Sequence, residues 1–152
     1  MDRDKTIEVL NSLITINNDR IEGYETAIKE TEEHDLKTLF EHFISNSRKC
    51  KQELVFEVNA LGGEQAEGTK ISGKFFRVWM DLKSALTGKD RKAILDSCEY
   101  GEDAAQETYD DAIKEDFDHL NTEQRTMISA QKQLLLSDHN QVKSMRDALI
   151  DA

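Results

Sequence analysis

Apolar residues recur along the N-terminal stretch as Ile7, Leu10, Ile14, Ile21, Tyr24 and Ile28, with Asn17 filling the one polar slot in the series. Steps alternating between three and four residues put these positions on one stripe of an α-helix, here expected over about residues 4–33. A second stripe, Leu36, Phe40, Phe43, Ser47, Cys50, Leu54, Val58 and Leu61, predicts a helix over about 36–61. Asp35 is its expected N-cap, because a carboxylate there can accept a free backbone N–H. Gly62 and Gly63 are its expected stop, since glycine readily takes the left-handed conformation that closes a helix. Ile94, Cys98, Glu102, Ala105, Tyr109 and Ile113 mark a helix over about 91–117. Ile128, Gln131, Leu135, Asp138, Val142, Met145 and Leu149 mark another over about 122–150, opened by Asn121 and Gln124 at capping-box spacing.

Between the second and third stripes the texture changes. Five of the seven glycines fall between Gly62 and Gly88, around a shorter helical pattern at Phe75, Trp79, Leu82 and Leu86. The short links within each flanking pair predict two antiparallel hairpins. The segment at about 62–89 is long enough to run back along them. The expectation is therefore one all-α domain over residues 1–152: a four-helix bundle with one long crossover that carries a short extra helix. Helices of about 27 residues would be roughly 40 Å long at ~1.5 Å per residue.

Composition agrees with long helices. The chain has no proline, where average usage near ~5% predicts roughly eight; proline would remove a helix hydrogen bond and clash with the preceding turn. Charge narrows the partners. A formal net charge of -11 from 31 acidic and 20 basic residues argues against nucleic acid and against an anionic membrane surface. No apolar run approaches the roughly 20 residues of a membrane span, and the N-terminal residues lack the pattern of a secretory signal. Cys50 and Cys98 form no CxxC and are expected to be reduced thiols in a cytoplasmic protein.

Candidate chemistry sits on the stripes themselves. Asn17 and Tyr24 are seven residues apart, and so are Glu102 and Tyr109, so each pair shares one helix face. With Gln131 these five are expected to form a polar layer inside an otherwise apolar core, satisfying one another's hydrogen bonds. No phosphate loop, dinucleotide fingerprint or nucleophile elbow occurs.

Several segments taken in order resemble the ferritin-like superfamily, and more closely an uncharacterised bacterial family of ferritin-like four-helix-bundle proteins, a domain of unknown function. They are Gly23-Tyr24-x-x-Ala27, Leu61-Gly62-Gly63, Trp79-x-x-Leu82-Lys83-x-x-Leu86-x-Gly88, Gly101-Glu102-Asp103-x-Ala105 with Tyr109, and His139-x-x-Val142-x-x-Met145-Arg146-Asp147. In the superfamily's di-iron members, one Glu from each of two helices and Glu-x-x-His from each of the other two hold the metals. Carried over, those positions fall on Asn17, on Ser47 and Cys50, on Glu102, and on Leu135/Asp138 or Leu136/His139. The departures imply no di-iron centre, no cofactor and no enzymatic activity. A reduced iron or zinc site would have to draw on Glu102, His139, Cys50 and Glu99. The resemblance also implies a homo-oligomer, for which Phe75, Phe76 and Trp79 are the expected aromatic anchors. The functional expectation is a non-enzymatic bundle with a structural, assembly or stress-related role, its rivals a reduced metal site or an adaptor that accepts a partner helix.

Overall fold

Each long apolar stripe becomes one helix face, and the hydrogen bonds between faces fix how the helices run. The computed structural model describes residues 3–67 and 73–151, and of residues 73–80 and 150–151 the backbone alone. It contains α1 (Arg3–Glu30), α2 (His34–Ala60), α3 (Gly73–Gly88), α4 (Arg91–Glu115), a 3-10 turn (Phe117–His119) and α5 (Thr122–Asp151). The described residues form no strand, and no helix among them is long and apolar enough to cross a membrane.

α1 and α2 form an antiparallel hairpin in which Tyr24 stacks on Phe40 at a centroid distance of 5.3 Å. α4 and α5 form another: Tyr109 bonds to Gln131 near one end, and His139 pairs with Asp103 further along. Bonds from Asn17 to Tyr109 and from Arg20 to Glu102 set α1 antiparallel to α4. Bonds from Gln131 to the Cys50 carbonyl and from Asn46 to Asp138 set α5 antiparallel to α2. Hence α2 and α4 point the same way, and the chain between them must travel back along the helices. It starts down the side of α1, where the Asn11 amide donates to the Glu64 carbonyl (2.9 Å) and accepts from the Ala66 N–H (2.8 Å). α3 completes the crossover by packing mainly on α4.

The helix ends differ in detail from the sequence reading. α1 stops at Glu30 rather than near residue 33, and the Thr31 hydroxyl accepts the Glu33 N–H. Asp35 is not the N-cap of α2. It lies in the first turn, where its carboxylate accepts the Leu36 N–H and is gripped by Arg91, while Glu33 occupies the cap position without a side-chain bond. α4 ends at Glu115, and Phe117 belongs to the 3-10 turn that follows. At the end of α2, Gly62 takes φ +78°, a left-handed value that glycine adopts without strain. A Cβ on Gly63 would meet Ile7 Cδ1 at 2.7 Å, so this glycine lets the loop lie flat on α1. The Asn121–Gln124 capping box is reciprocal: each side chain accepts the other's backbone N–H, at 2.7 and 2.9 Å.

The core divides into two apolar clusters. One gathers Leu10, Leu13, Ile14, Leu54, Val58, Leu120 and Ile128; the other gathers Phe40, Phe43, Leu36, Ile94, Leu95 and Val142, with Leu82 and Leu86 of α3. A polar layer lies between them, near the midpoint of each long helix. The side chains of Phe75, Phe76 and Trp79, the expected interface anchors, lie outside the described residues.

Candidate functional site

The layer is built from seven-residue steps on three helices: Asn17 to Tyr24 on α1, Glu102 to Tyr109 on α4, Gln131 to Asp138 on α5. Two turns separate the members of each pair, so they stay on the core face. α2 contributes Ser47 and the Cys50 carbonyl at the same level.

The side chains sort into two tiers. In the first, the Asn17 amide donates to the Tyr109 hydroxyl (2.9 Å), which donates to Gln131 Oε1 (2.7 Å). Gln131 Nε2 then donates to the Cys50 carbonyl (3.2 Å) and to Glu53 (3.0 Å). This chain touches all four long helices. Asn17 Oδ1 is buried without a partner among the described residues, an unmet acceptor that makes the tier less stable than a fully paired one.

The second tier is centred on Arg20, which the stripe pattern did not single out. Its side chain is 2% exposed. Nε donates to Glu102 Oε2 at 2.8 Å, Nη2 donates to Glu102 Oε1 and to Asp138 Oδ2 (3.1 Å), and Nη1 donates to Ser47 Oγ. The rings of Tyr24 and Phe43 flank it at 5.6 and 5.8 Å. Asn46 donates to the other Asp138 oxygen at 2.8 Å, and the exposed His42 ring lies 3.7 Å from that oxygen. A fork-shaped guanidinium matches this set of carboxylates where a lysine ammonium would not.

Electrostatics follows from burial. Taking Glu102 out of water raises its pKa above the usual carboxylate range; the Arg20 charge and hydrogen bonds pull it back, Asp138 pushes it up, and the Tyr24 hydroxyl helps hold the anion. Burial is also the main reason the Tyr24 and Tyr109 phenols are pushed well above their ordinary range. Arg20 stays protonated despite its burial, because Glu102 and Asp138 surround it with negative charge. Burial lifts the Cys50 thiol to about 11 and raises Cys98 further, so both remain protonated near neutral pH and are poor nucleophiles.

The positions onto which the ferritin-like resemblance carries metal ligands therefore converge on a side chain. Ser47, Glu102 and Asp138 all bond Arg20, and Asn17 and Cys50 belong to the neighbouring tier. A dimetal centre does not fit here: its central volume holds a guanidinium, and the available donors include a hydroxyl and an amide where hard carboxylates and imidazoles are required. The four residues considered for a reduced metal site also part company. Glu102 turns inward to Arg20, and Cys50 takes part in the core through its carbonyl. Glu99 and His139 sit instead on the outer side of the α4–α5 pair, where with Asp103 their ligand atoms lie within 4.8 Å of one another.

Arg20 and the pairing of Asp138 were hidden from pattern reading because a 3-4 stripe passes between positions 20 and 21, and Ile21 looked like the inward residue. In the structure Arg20 is buried and Ile21 only partly so. A charge argument could have found it: two carboxylates on core stripes, Glu102 and Asp138, call for a cation at the same level.

No curated protein matches the chain. A family model described as "Domain of unknown function (DUF2383)" matches residues 5–115. The matched span holds Asn17, Arg20, Ser47, Glu102 and Tyr109 and stops at the end of α4, before the α5 partners Gln131 and Asp138. With most of its length covered, the chain belongs to the DUF2383 family of domains of unknown function.

Proposed function

We propose that the chain is a ferritin-like four-helix bundle, of the bacterial kind its sequence resembles, working without catalysis as a structural or assembly module in the cytoplasm. One observation carries this reading: Arg20, bonded to Glu102, Asp138 and Ser47, fills the layer where a bundle of this type would otherwise open a reaction centre. The up-down-down-up course of the long helices, joined by one long crossover, supports the ferritin-like comparison. The two protonated thiols add no nucleophile. Arg20 bonds both Glu102 oxygens, which supports the non-catalytic reading over a reduced metal site joining Glu102 to His139.

Self-association is part of the proposal. Phe56 is 74% exposed beside Ile21 and Val55, in a groove rimmed by Arg48 and Lys51. Arg48 is paired with Glu25 at 2.7 Å, so Lys51 is the basic side chain that the apolar strip offers to an acidic partner such as a second copy of this chain.

Anaerobic Fe(II) titration followed by oxygen tests the non-catalytic reading. The expected result is oxygen uptake no faster than in buffer with the same iron. Two equivalents of iron with a carboxylate-bridged absorption band, both lost in Glu102→Ala, would overturn it.

A further inference from the structure

Glu99 and Asp103 on α4 and His139 on α5 are not used by the core layer. The fold brings these together on one face. Glu99 and Asp103 stand one turn apart on α4, and His139 faces them from the antiparallel α5, its Nε2 2.7 Å from Asp103 Oδ1. All three ligand atoms lie within 4.8 Å of one another.

We propose that Glu99, Asp103 and His139 form a binding site for a divalent first-row transition metal of the zinc class, separate from the core layer. The donor set points to the ion. One imidazole nitrogen with two carboxylate oxygens suits Zn(II), Fe(II) or Mn(II), whereas Mg(II) and Ca(II) prefer oxygen alone. Ligands drawn from two packed helices are positioned by the scaffold, so only side-chain rotation is needed to bring each to the roughly 2.0–2.2 Å of a zinc bond. The Glu99 and His139 side chains are 17% and 15% exposed, while Asp103 is 60% exposed. The site is therefore walled on two sides and open on the third, which leaves water as the fourth ligand.

Charge favours a cation here. Arg146 pairs with Glu99 Oε2 and Asp147 and reaches Asp96, which also pairs with Lys92, so two cations stand among three carboxylates. Asp103 adds a fourth. Arg146 holds a single Glu99 oxygen, leaving Oε1 for the metal while fixing the rotamer. This is the supporting role an outer hydrogen bond plays for a metal-ligating carboxylate.

The test is calorimetric titration of the full chain with ZnCl2, each variant checked for wild-type helicity by circular dichroism. The site predicts one equivalent of zinc with micromolar affinity, undisturbed by millimolar MgCl2. His139→Ala and Asp103→Asn should each weaken binding at least tenfold, and Glu102→Gln should change it less than threefold. No stoichiometric zinc at 100 µM protein (an order-of-magnitude choice), or binding unchanged by His139→Ala, overturns the proposal. Zinc lost in Glu102→Gln but kept in His139→Ala overturns it too, and would also sink the reading of the core as metal-free. A zinc-silent wild type would leave that reading standing.

Discussion

Replacing Arg20 with methionine removes the charge while keeping much of the aliphatic bulk, and the structure sets the scale of the damage. Glu102 loses two charge-assisted hydrogen bonds, Asp138 loses one and keeps Asn46, and Ser47 loses its donor. Both carboxylates are 1% exposed, so water cannot replace the missing partner. Removing one member of a buried ion pair costs about 3–5 kcal/mol, chiefly because the other charge is stranded. Against a typical total of about 5–15 kcal/mol, that is a large share. It would lower Tm by roughly 6–20 °C at the ~2–4 °C per kcal/mol expected for this chain length. The cost should depend on pH. Without Arg20 only the Tyr24 hydroxyl offsets the burial and the Asp138 charge that raise Glu102, so the variant's penalty is absent below the ordinary carboxylate pKa of 4.5 and grows as pH rises from there to the raised folded value. The assay is urea unfolding followed by helical ellipticity at neutral and acid pH. Glu102→Leu alone should cost about 3 kcal/mol, although an isolated buried carboxylate would be better removed, because here it takes away the guanidinium's bidentate partner and leaves Asp138 and Ser47 alone to hold it. The triple change Arg20→Met/Glu102→Leu/Asp138→Asn should recover most of the loss. An Arg20→Met cost below about 1 kcal/mol, or single-variant costs that simply add, would mean that Arg20, Glu102 and Asp138 are not one coupled buried network.

Tyr109→Phe should cost about 1–2 kcal/mol, because Gln131 Oε1 loses its donor while Asn17 keeps the Leu13 carbonyl; an unchanged urea midpoint would contradict this. Asp19, half-buried next to Glu22, has its pKa raised to about 7, mainly by burial. The folded state therefore binds this proton more tightly than the unfolded chain between about pH 4 and pH 7, and stability falls as pH rises across that window. Asp19→Asn should stabilise the protein by about 1–2 kcal/mol at pH 8, after allowing for solvent screening, and by nearly nothing at pH 4; equal effects at both pH values would be inconsistent with it. Sedimentation equilibrium should find a dimer or larger species at micromolar concentration, shifted toward the 17.4 kDa monomer by Phe56→Asp; a dimer indifferent to that change would place the interface elsewhere, with Trp79→Ala the next variant to measure.

The helices were legible because their apolar stripes are long and regular, and α5 begins where the Asn121–Gln124 spacing says it should. Chain ends of helices were less so. Asp35 has the chemistry of a cap, but Arg91, the first residue of α4, offers its carboxylate a stronger partner than a backbone N–H. The tier joining Asn17, Tyr109 and Gln131 follows from polar residues at inward positions. The charged tier does not, since a polarity pattern sends arginine outward and only the three-dimensional meeting of Glu102 and Asp138 makes its burial favourable. The outer cluster of Glu99, Asp103 and His139 depends on the register between α4 and α5, which spacing along one helix cannot supply.

An internal cation closes the core, and the guanidinium protons of Arg20 report on how firmly it is held. In a 15N-labelled sample, with the signal assigned by its loss in Arg20→Lys, the Nε–H should exchange with solvent far more slowly than those of exposed arginines. Its Nη–H protons should be resolved rather than averaged, because Glu102, Asp138 and Ser47 hold the fork in place. An Arg20 signal that exchanges as fast as those of exposed arginines, with averaged Nη–H protons, would mean that the guanidinium is not locked between these partners.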